Sequence, residues 1–298
     1  MKKSTIIKII LTILLLTVLF IKVNFFEIVK IIFSLKLLYM GSALVLVPVL
    51  YIIRTVRWNI FLDSVGITIS FLTSFKVLLI GNFYGLVTPG KIGELGRAFH
   101  VNEKKVLTIP TIIMEKLIDV CTLIILSFLT IIFYFQNSPL MQVGILVCGI
   151  TVVLGIFLLT SKKAVFLMVK IFKINQETCG QFVGSFRIML SNYTLMGYAF
   201  LISFVYYLVA FLLGYFVILS AGFNSIVIIT FPIIVLMGNI PLTISGLGLR
   251  ESIGSLSFIY LGETASDGFV FAFLLFILIT VIPGIFGYIL TLKEDQRR

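Results

Sequence analysis

Residues 238–252 read GNIPLTISGLGLRES, and residues 81–99 read GNFYGLVTPGKIGELGRAF. Each is a polar, glycine-rich interruption after an apolar run. Each holds a Gly-Asn, a Pro, a glycine-rich bend, a cation and a Glu. The first runs Gly81-Asn82, then Thr88-Pro89-Gly90-Lys91-Ile92-Gly93-Glu94; the second runs Gly238-Asn239-Ile240-Pro241, then Ser245-Gly246-Leu247-Gly248-Leu249-Arg250-Glu251. Gly and Pro end helices and free backbone N–H and C=O groups. Lipid cannot satisfy such groups, so in a membrane these segments must be enclosed by protein or face a water-filled cavity.

The surrounding chain points to a membrane. Of 298 residues, 60% are hydrophobic and 12% charged, and mean hydropathy is +1.21. A water-soluble domain carries roughly 25% charged residues. The chain therefore reads as an all-α polytopic membrane protein, one integral membrane domain over 1–298. Net charge is +11, from 23 Lys and Arg against 12 Asp and Glu. Cytoplasmic loops and anionic lipid heads account for it. Nucleic-acid binding is not expected, because no basic face stands clear of the bilayer. Cys121, Cys148 and Cys179 form no CxxC or Cys/His cluster and read as buried thiols rather than a disulfide or metal site.

Apolar blocks fall near 6–21, 37–53, 67–88, 108–135, 140–160, 194–219, 226–245 and 268–292. Lys2 and Lys3 precede the first, which lacks a small-x-small cleavage site and reads as an uncleaved span with a cytoplasmic N-terminus. Lys and Arg gather at 54–57, 89–107, 161–193 and the C-terminal tail, which places these segments inside. Linkers 136–139 and 220–225 carry neither and go outside. The segment 22–36, with Lys22, Lys30 and Lys36, reads as an outer interfacial stretch. On this assignment 67–88 begins and ends inside, and 226–262 begins and ends outside. Both read as re-entrant hairpins, entering from opposite faces and meeting within the bundle. The sum is about six transmembrane helices plus two opposed hairpins. Residues 37–135 and 194–292 form an inverted repeat, an architecture that binds substrate where broken helices meet. The linker 161–193 reads as cytoplasmic and amphipathic, lying in the headgroup layer.

Helix N-termini restarting after the breaks attract anions. Lys91, Arg97 and Arg250 could pair with a phosphate, Arg bidentately, and Asn82 and Asn239 offer donors and acceptors. Lys91 and Arg97 are equally readable as loop markers of the cytoplasmic side, and Arg250 with Glu251 as an internal ion pair. Glu115 and Asp119 interrupt an apolar run and share one helix face. They bind a cationic head or carry protons, or pair structurally with Arg54, Arg57 or Lys91. Lys76 either snorkels or lines the cavity, Trp58 suits an interfacial anchor, and His100 reads as a loop histidine. No P-loop, HExxH, GxSxG or metal cluster occurs, so no ATP hydrolysis, catalytic residue, metal or cofactor is expected.

GNFYGLVTPGKIGELGRAF (81–99), the E-K-x-x-D of 115–119 and GNIPLTISGLGLRES (238–252) resemble the three signatures of the lysylphosphatidylglycerol synthase membrane-domain family, the flippase-like integral membrane proteins. The usual forms are an Asn followed by P-G-x-x-G-E-x-x-R, Glu-Arg/Lys-x-x-Asp, and a Pro followed by G-G-x-G-x-R-E. Here Ser245-Gly246-Leu247-Gly248 stands in place of the double glycine, and Lys91 holds a position often occupied by Arg. The resemblance spans roughly 40 to 290. It implies a lipid flippase or translocator in the cytoplasmic membrane, with N- and C-termini cytoplasmic. Its substrate would be an anionic or aminoacylated phospholipid, or a polyprenyl-linked glycan; a homodimer is compatible with this. The motif residues Asn82, Pro89, Gly90, Lys91, Gly93, Glu94 and Arg97 would form an inner half-site. Asn239, Pro241, Gly246, Gly248, Arg250 and Glu251 would form an outer one, with Glu115 and Asp119 contacting the head or a coupled proton. Bifunctional members carry a soluble aminoacyl-transferase domain after the membrane part. This chain ends at Arg298 and is expected to lack it, so a lysyltransferase label would rest on the family name alone. Two other readings remain: a membrane enzyme or enzyme subunit that modifies a lipid head through Glu94, Glu115 or Glu251, and a scaffold for envelope glycolipid synthesis.

Overall fold

The computed structural model describes residues 24–88, 91–101, 105–134, 176–240 and 243–295, with Thr17, Gln142, Leu146, Gly149, Ile150 and Val153 besides. The expected span 6–21, the linker 136–139, most of block 140–160 and residues 161–175 lie outside them. So do Pro89, Gly90, Pro241, Cys148 and the Cys179 thiol.

The regular elements among the described residues are all helices, without strands. In chain order they form α1 (Phe25–Phe33), α2 (Leu37–Ser64), α3 (Phe71–Val87), a 3-10 stretch (Ile92–His100), α4 (Lys105–Tyr134), α5 (Gln176–Ser191) and α6 (Tyr193–Ala221). A 3-10 turn (Ser225–Thr230), α7 (Phe231–Gly238), α8 (Leu249–Tyr260), α9 (Ala265–Phe276), a π turn (Ile277–Val281) and α10 (Ile282–Asp295) follow. Four stretches are long and apolar enough to cross a bilayer: Leu37–Ser64, Lys105–Tyr134, Tyr193–Ala221 and Ala265–Lys293, of 28 to 30 residues. At 1.5 Å per residue each reaches roughly 40 Å, beyond the roughly 30 Å of hydrocarbon. This is a multi-pass membrane protein. Four of the six expected crossings thus have a helix of spanning length and composition, and the other two fall mostly on residues outside the described set.

The chain divides into two compact units. The first comprises Met1–Tyr51, Leu78–Glu94 and Tyr207–Arg298; the second, Ile52–Val77 and Leu95–Tyr206. Each takes residues from both 37–135 and 194–292.

In the first unit, glycine permits close helix contacts. A Cβ on Gly254 of α8 would lie 2.6 Å from the Gly268 carbonyl of α9, and one on Gly268 would strike the Gly254 carbonyl. Without a hydrophobic drive between helices in lipid, such small-residue contacts let backbones pack. Thr264 caps α9 by accepting from Asp267 N at 3.1 Å, while Asp267 accepts from Thr264 N at 3.2 Å, a reciprocal pair that satisfies two helix-end donors. The segment 22–36 contains α1, started by Asn24, whose side chain accepts from Phe26 N. Phe25, Phe26 and Phe33 of α1 are exposed and Ile28 is buried.

Between α9 and α10 the helix loosens into the π turn, and Pro283 explains part of it. Proline has no N–H, so the Ile279 carbonyl four residues earlier loses its ordinary donor. Tyr51 Oη donates to that oxygen at 3.2 Å, and Asn82 Nδ2 donates to the Thr280 carbonyl at 2.8 Å. Side chains from α2 and α3 thus satisfy carbonyls that hydrocarbon could not.

The core of the second unit joins α2, α4, α5 and α6 through Phe61, Met114, Ile118, Phe186, Met189, Leu195 and Ala199. Cys121, a half-buried free thiol, borders an apolar cavity beside Phe186 and Phe200.

Candidate functional site

The first unit brings the two interruptions together. After α3 the chain turns back on itself. Thr88 Oγ1 donates to the Tyr84 carbonyl at 2.7 Å and accepts from Gly93 N at 2.7 Å. A Cβ on Gly93 would strike the Tyr84 carbonyl, so only glycine allows this approach. The buried Glu94 side chain then lies over Gly85, where a Cβ would sit 2.6 Å from Cγ.

The second break repeats the device. Gly246, at φ +78°, lies so close to Gly238 that a Cβ would collide with the Gly238 carbonyl. The Arg250 side chain covers Gly238, with Cδ 3.3 Å from where a Cβ would be. In the first break Gly93 packs against the Tyr84 carbonyl, and in the second Gly246 packs against the Gly238 carbonyl. The shared Gly-Asn dipeptides suggest a register pairing Gly81 with Gly238. Structurally, Asn82 and Asn239 are not equivalent. Asn82 is buried and supports the π turn, whereas Asn239 caps the end of α7 and its amide donates to the Val235 carbonyl at 3.1 Å.

The breaks touch through Lys91, whose Nζ donates to Asn239 Oδ1 at 3.2 Å. Lys91 holds a left-handed backbone at φ +56°, and Ser245 does so in the other break at φ +51°. Such conformations cost a non-glycine residue of order 1–2 kcal/mol, and here they mark the two bends. Glu251 accepts from Gly248 N at 2.7 Å, capping α8, and pairs with Arg250 at 3.3 Å. The Arg250 guanidinium stacks 4.4 Å from the Phe276 ring centre. The internal Arg250–Glu251 ion pair is therefore present. Two hydroxyls of this break, Thr243 Oγ1 and Ser245 Oγ, are fully buried and have no hydrogen-bond partner among the described residues.

The second unit gathers the other predicted charges. Glu115 and Asp119, one turn apart on α4, meet Arg54 and Arg57 of α2 and Arg97 of the 3-10 stretch. Arg57 grips Asp119 with both terminal nitrogens, at 2.5 and 2.9 Å, and reaches Glu115 at 3.2 Å. Arg54 Nε donates to Glu115 Oε1 at 2.8 Å, and Arg97 donates to Glu115 Oε2. Ser203 of α6 donates to Asp119 at 3.3 Å. Arg97, Arg57 and Glu115 are fully buried. Of the partners expected for Glu115 and Asp119, Arg54 and Arg57 are present. Arg97 belongs with these carboxylates, whereas Asn82, Lys91 and Glu94 lie in the first unit.

Trp58 is a correction. Its ring is fully buried rather than anchored at an interface; it lies under the Arg97 guanidinium at 4.3 Å and its Nε1 donates to Thr111 Oγ1 at 3.1 Å. A guanidinium over an indole face is attracted by the ring's negative quadrupole, which explains why a tryptophan beside Arg57 is drawn inward. Lys76 is exposed, and His100 ends the 3-10 stretch half-buried. Among the described residues no group of His, Cys, Asp and Glu could hold a metal ion.

These three polar groupings fall on the three motif segments, and residues 5–287 match the family described as lysylphosphatidylglycerol synthase TM region. The chain belongs to that family. No curated protein and no solved structure matches it. Residues of this family member that the sequence did not single out are Gly85, Thr243 and Ser203, while Ser245 figured only as part of the second break. Nothing in the sequence distinguishes Thr243 from other threonines.

Proposed function

We propose that this chain is a translocator that moves a phospholipid or lipid-linked polar head across the cytoplasmic membrane. The hydrogen bond from Lys91 to Asn239 carries the reading, because it joins two glycine-folded helix breaks within one unit. Broken helices that meet inside a bundle create polar surface at membrane depth, where a headgroup could travel. In this reading the breaks are hairpins entering from opposite faces. Lys91, Glu94 and Asn239 border the head path, and the buried Arg250–Glu251 pair holds its second wall. Within the second unit, Glu115 and Asp119 form an ion-paired group that must loosen for a proton to reach them.

A lipid-modifying enzyme is the weaker alternative. Glu251 already caps a helix and pairs with Arg250, and Glu115 already accepts from three arginines. Carboxylates so committed are poor general bases.

Proteoliposomes with a fluorescent phosphatidylglycerol in both leaflets, quenched from outside, test the proposal. Arg250→Glu should abolish the protein-dependent exchange. Lys91→Met, at a half-exposed position, should reduce it without affecting folding. Exchange undiminished in both folded variants would remove the basis for the proposal.

A further inference from the structure

The second unit holds an apolar cavity that the arginine–carboxylate cluster leaves unused. Leu117, Ile118 and Cys121 of α4, Phe186 of α5, and Met196 and Phe200 of α6 are among the residues that line it. Its volume is about 120 Å3, close to the roughly 150 Å3 of an engineered apolar cavity that stays dry and binds benzene. That is room for a short hydrocarbon segment and not for a polar headgroup. The lining side chains carry no nitrogen or oxygen, only the sulfurs of Met and Cys. Water needs polar partners to occupy such a space, so it does not fill this one.

The cavity has a mouth. Ile118 and Phe186 are buried, whereas Leu117, Cys121, Met196 and Phe200 are partly exposed. The faces that carry the mouth continue as exposed apolar surface. Ile125 and Phe128 follow Cys121 at helical spacing and are 58% and 54% exposed, and Phe204 follows Phe200 one turn on. Depth decides what meets this surface. Crossing the hydrocarbon takes about 20 residues. Wherever such a stretch falls within Lys105–Tyr134, a span of 30 residues, it includes Cys121. The medium at the mouth is therefore lipid chain. An unfilled void forfeits dispersion contacts along its lining, and a chain end that enters restores them.

We propose that this cavity takes the methyl end of one acyl chain of a bilayer lipid. The site selects by fit to the chain and is indifferent to the head. It requires a bilayer but no translocation, so it stands apart from the function proposed above.

The test uses the full chain in phosphatidylglycerol nanodiscs doped with a photoreactive phosphatidylcholine. One probe carries a diazirine near the methyl end of an acyl chain, a second near its carbonyl end. Adducts are mapped by peptide mass spectrometry. The methyl-end probe should label the cavity residues about tenfold more densely than Ile125, Phe128 and Phe204, a preference that roughly ten added atom contacts supply. The carbonyl-end probe should show no such preference. Cys121→Ala leaves the cavity open and should keep the labelling, which separates cavity binding from the reactivity of the thiol. Cys121→Phe and Leu117→Trp fill the cavity or its mouth. Each should lose the cavity adducts while keeping those on the exposed residues and eluting as a monodisperse protein.

Equal labelling of cavity and exposed residues in wild type would overturn the inference without recourse to any variant. So would cavity adducts that persist in both filled variants. The same methyl-end label on a phosphatidylglycerol should behave identically; cavity labelling by one head and not the other would shift recognition from chain to head and overturn the assignment. An unlabelled cavity in discs that hold two copies would give this surface to a second copy of the chain instead.

Discussion

Replacing Glu115 with Gln should destabilise the protein more than any other single charge removal in the second unit. Glu115 is fully buried and accepts hydrogen bonds from Arg54, Arg57 and Arg97. The amide keeps the shape but offers one acceptor oxygen and presents an NH2 group to a guanidinium. Removing one partner of a buried ion pair costs about 3–5 kcal/mol, because the remaining charge stays buried without its counterion. At about 2–4 °C per kcal/mol for a chain of this size, the apparent melting temperature should fall by about 6–20 °C. Asp119→Asn should cost less, since the Asp119 side chain is 11% exposed, pairs with Arg57, and keeps its bond from Ser203. Thermal unfolding followed by size-exclusion chromatography in detergent measures both. A double-mutant cycle isolates the pairing: Arg97→Met in the Glu115→Gln background should cost less than in wild type, with a coupling of at least about 1 kcal/mol. A Glu115→Gln protein melting within 1 °C of wild type, by this rough yardstick, would refute the view that this carboxylate organises the arginines. So would strict additivity with Arg97→Met.

Other expectations concern the first unit. Gly246→Ala should lower stability by more than about 1 kcal/mol, because its Cβ meets the Gly238 carbonyl at a positive φ; yield and monodispersity after purification will show it. Asn82→Leu should strip the Thr280 carbonyl of its donor, cost about 1–3 kcal/mol, and speed amide exchange across the π turn while leaving α8 unchanged.

The membrane class, the four described spans and the two helix breaks were legible in the sequence. The physical reason is the bilayer itself. It demands long apolar helices and makes glycine and proline interruptions conspicuous. The motif residues stood out for the same reason, since a charge such as Glu115 within an apolar run is costly. Partners were less legible. Arg54 and Arg57 were among the foreseen partners of Glu115 and Asp119, but the placement of Arg97 with them was not. Trp58 looked like an interfacial anchor because sequence gives adjacency to Arg57 and not the ring beneath Arg97.

What only the tertiary structure decided was which faces meet. A helix such as α6, apolar all round, carries no stripe to say which side is inward. The glycine pairs, the Tyr51 and Asn82 donors to the π turn, and the orphaned hydroxyls of Thr243 and Ser245 all depend on backbone approach between distant segments. Local sequence sets where a helix must break; the close packing of backbones sets what each broken end touches.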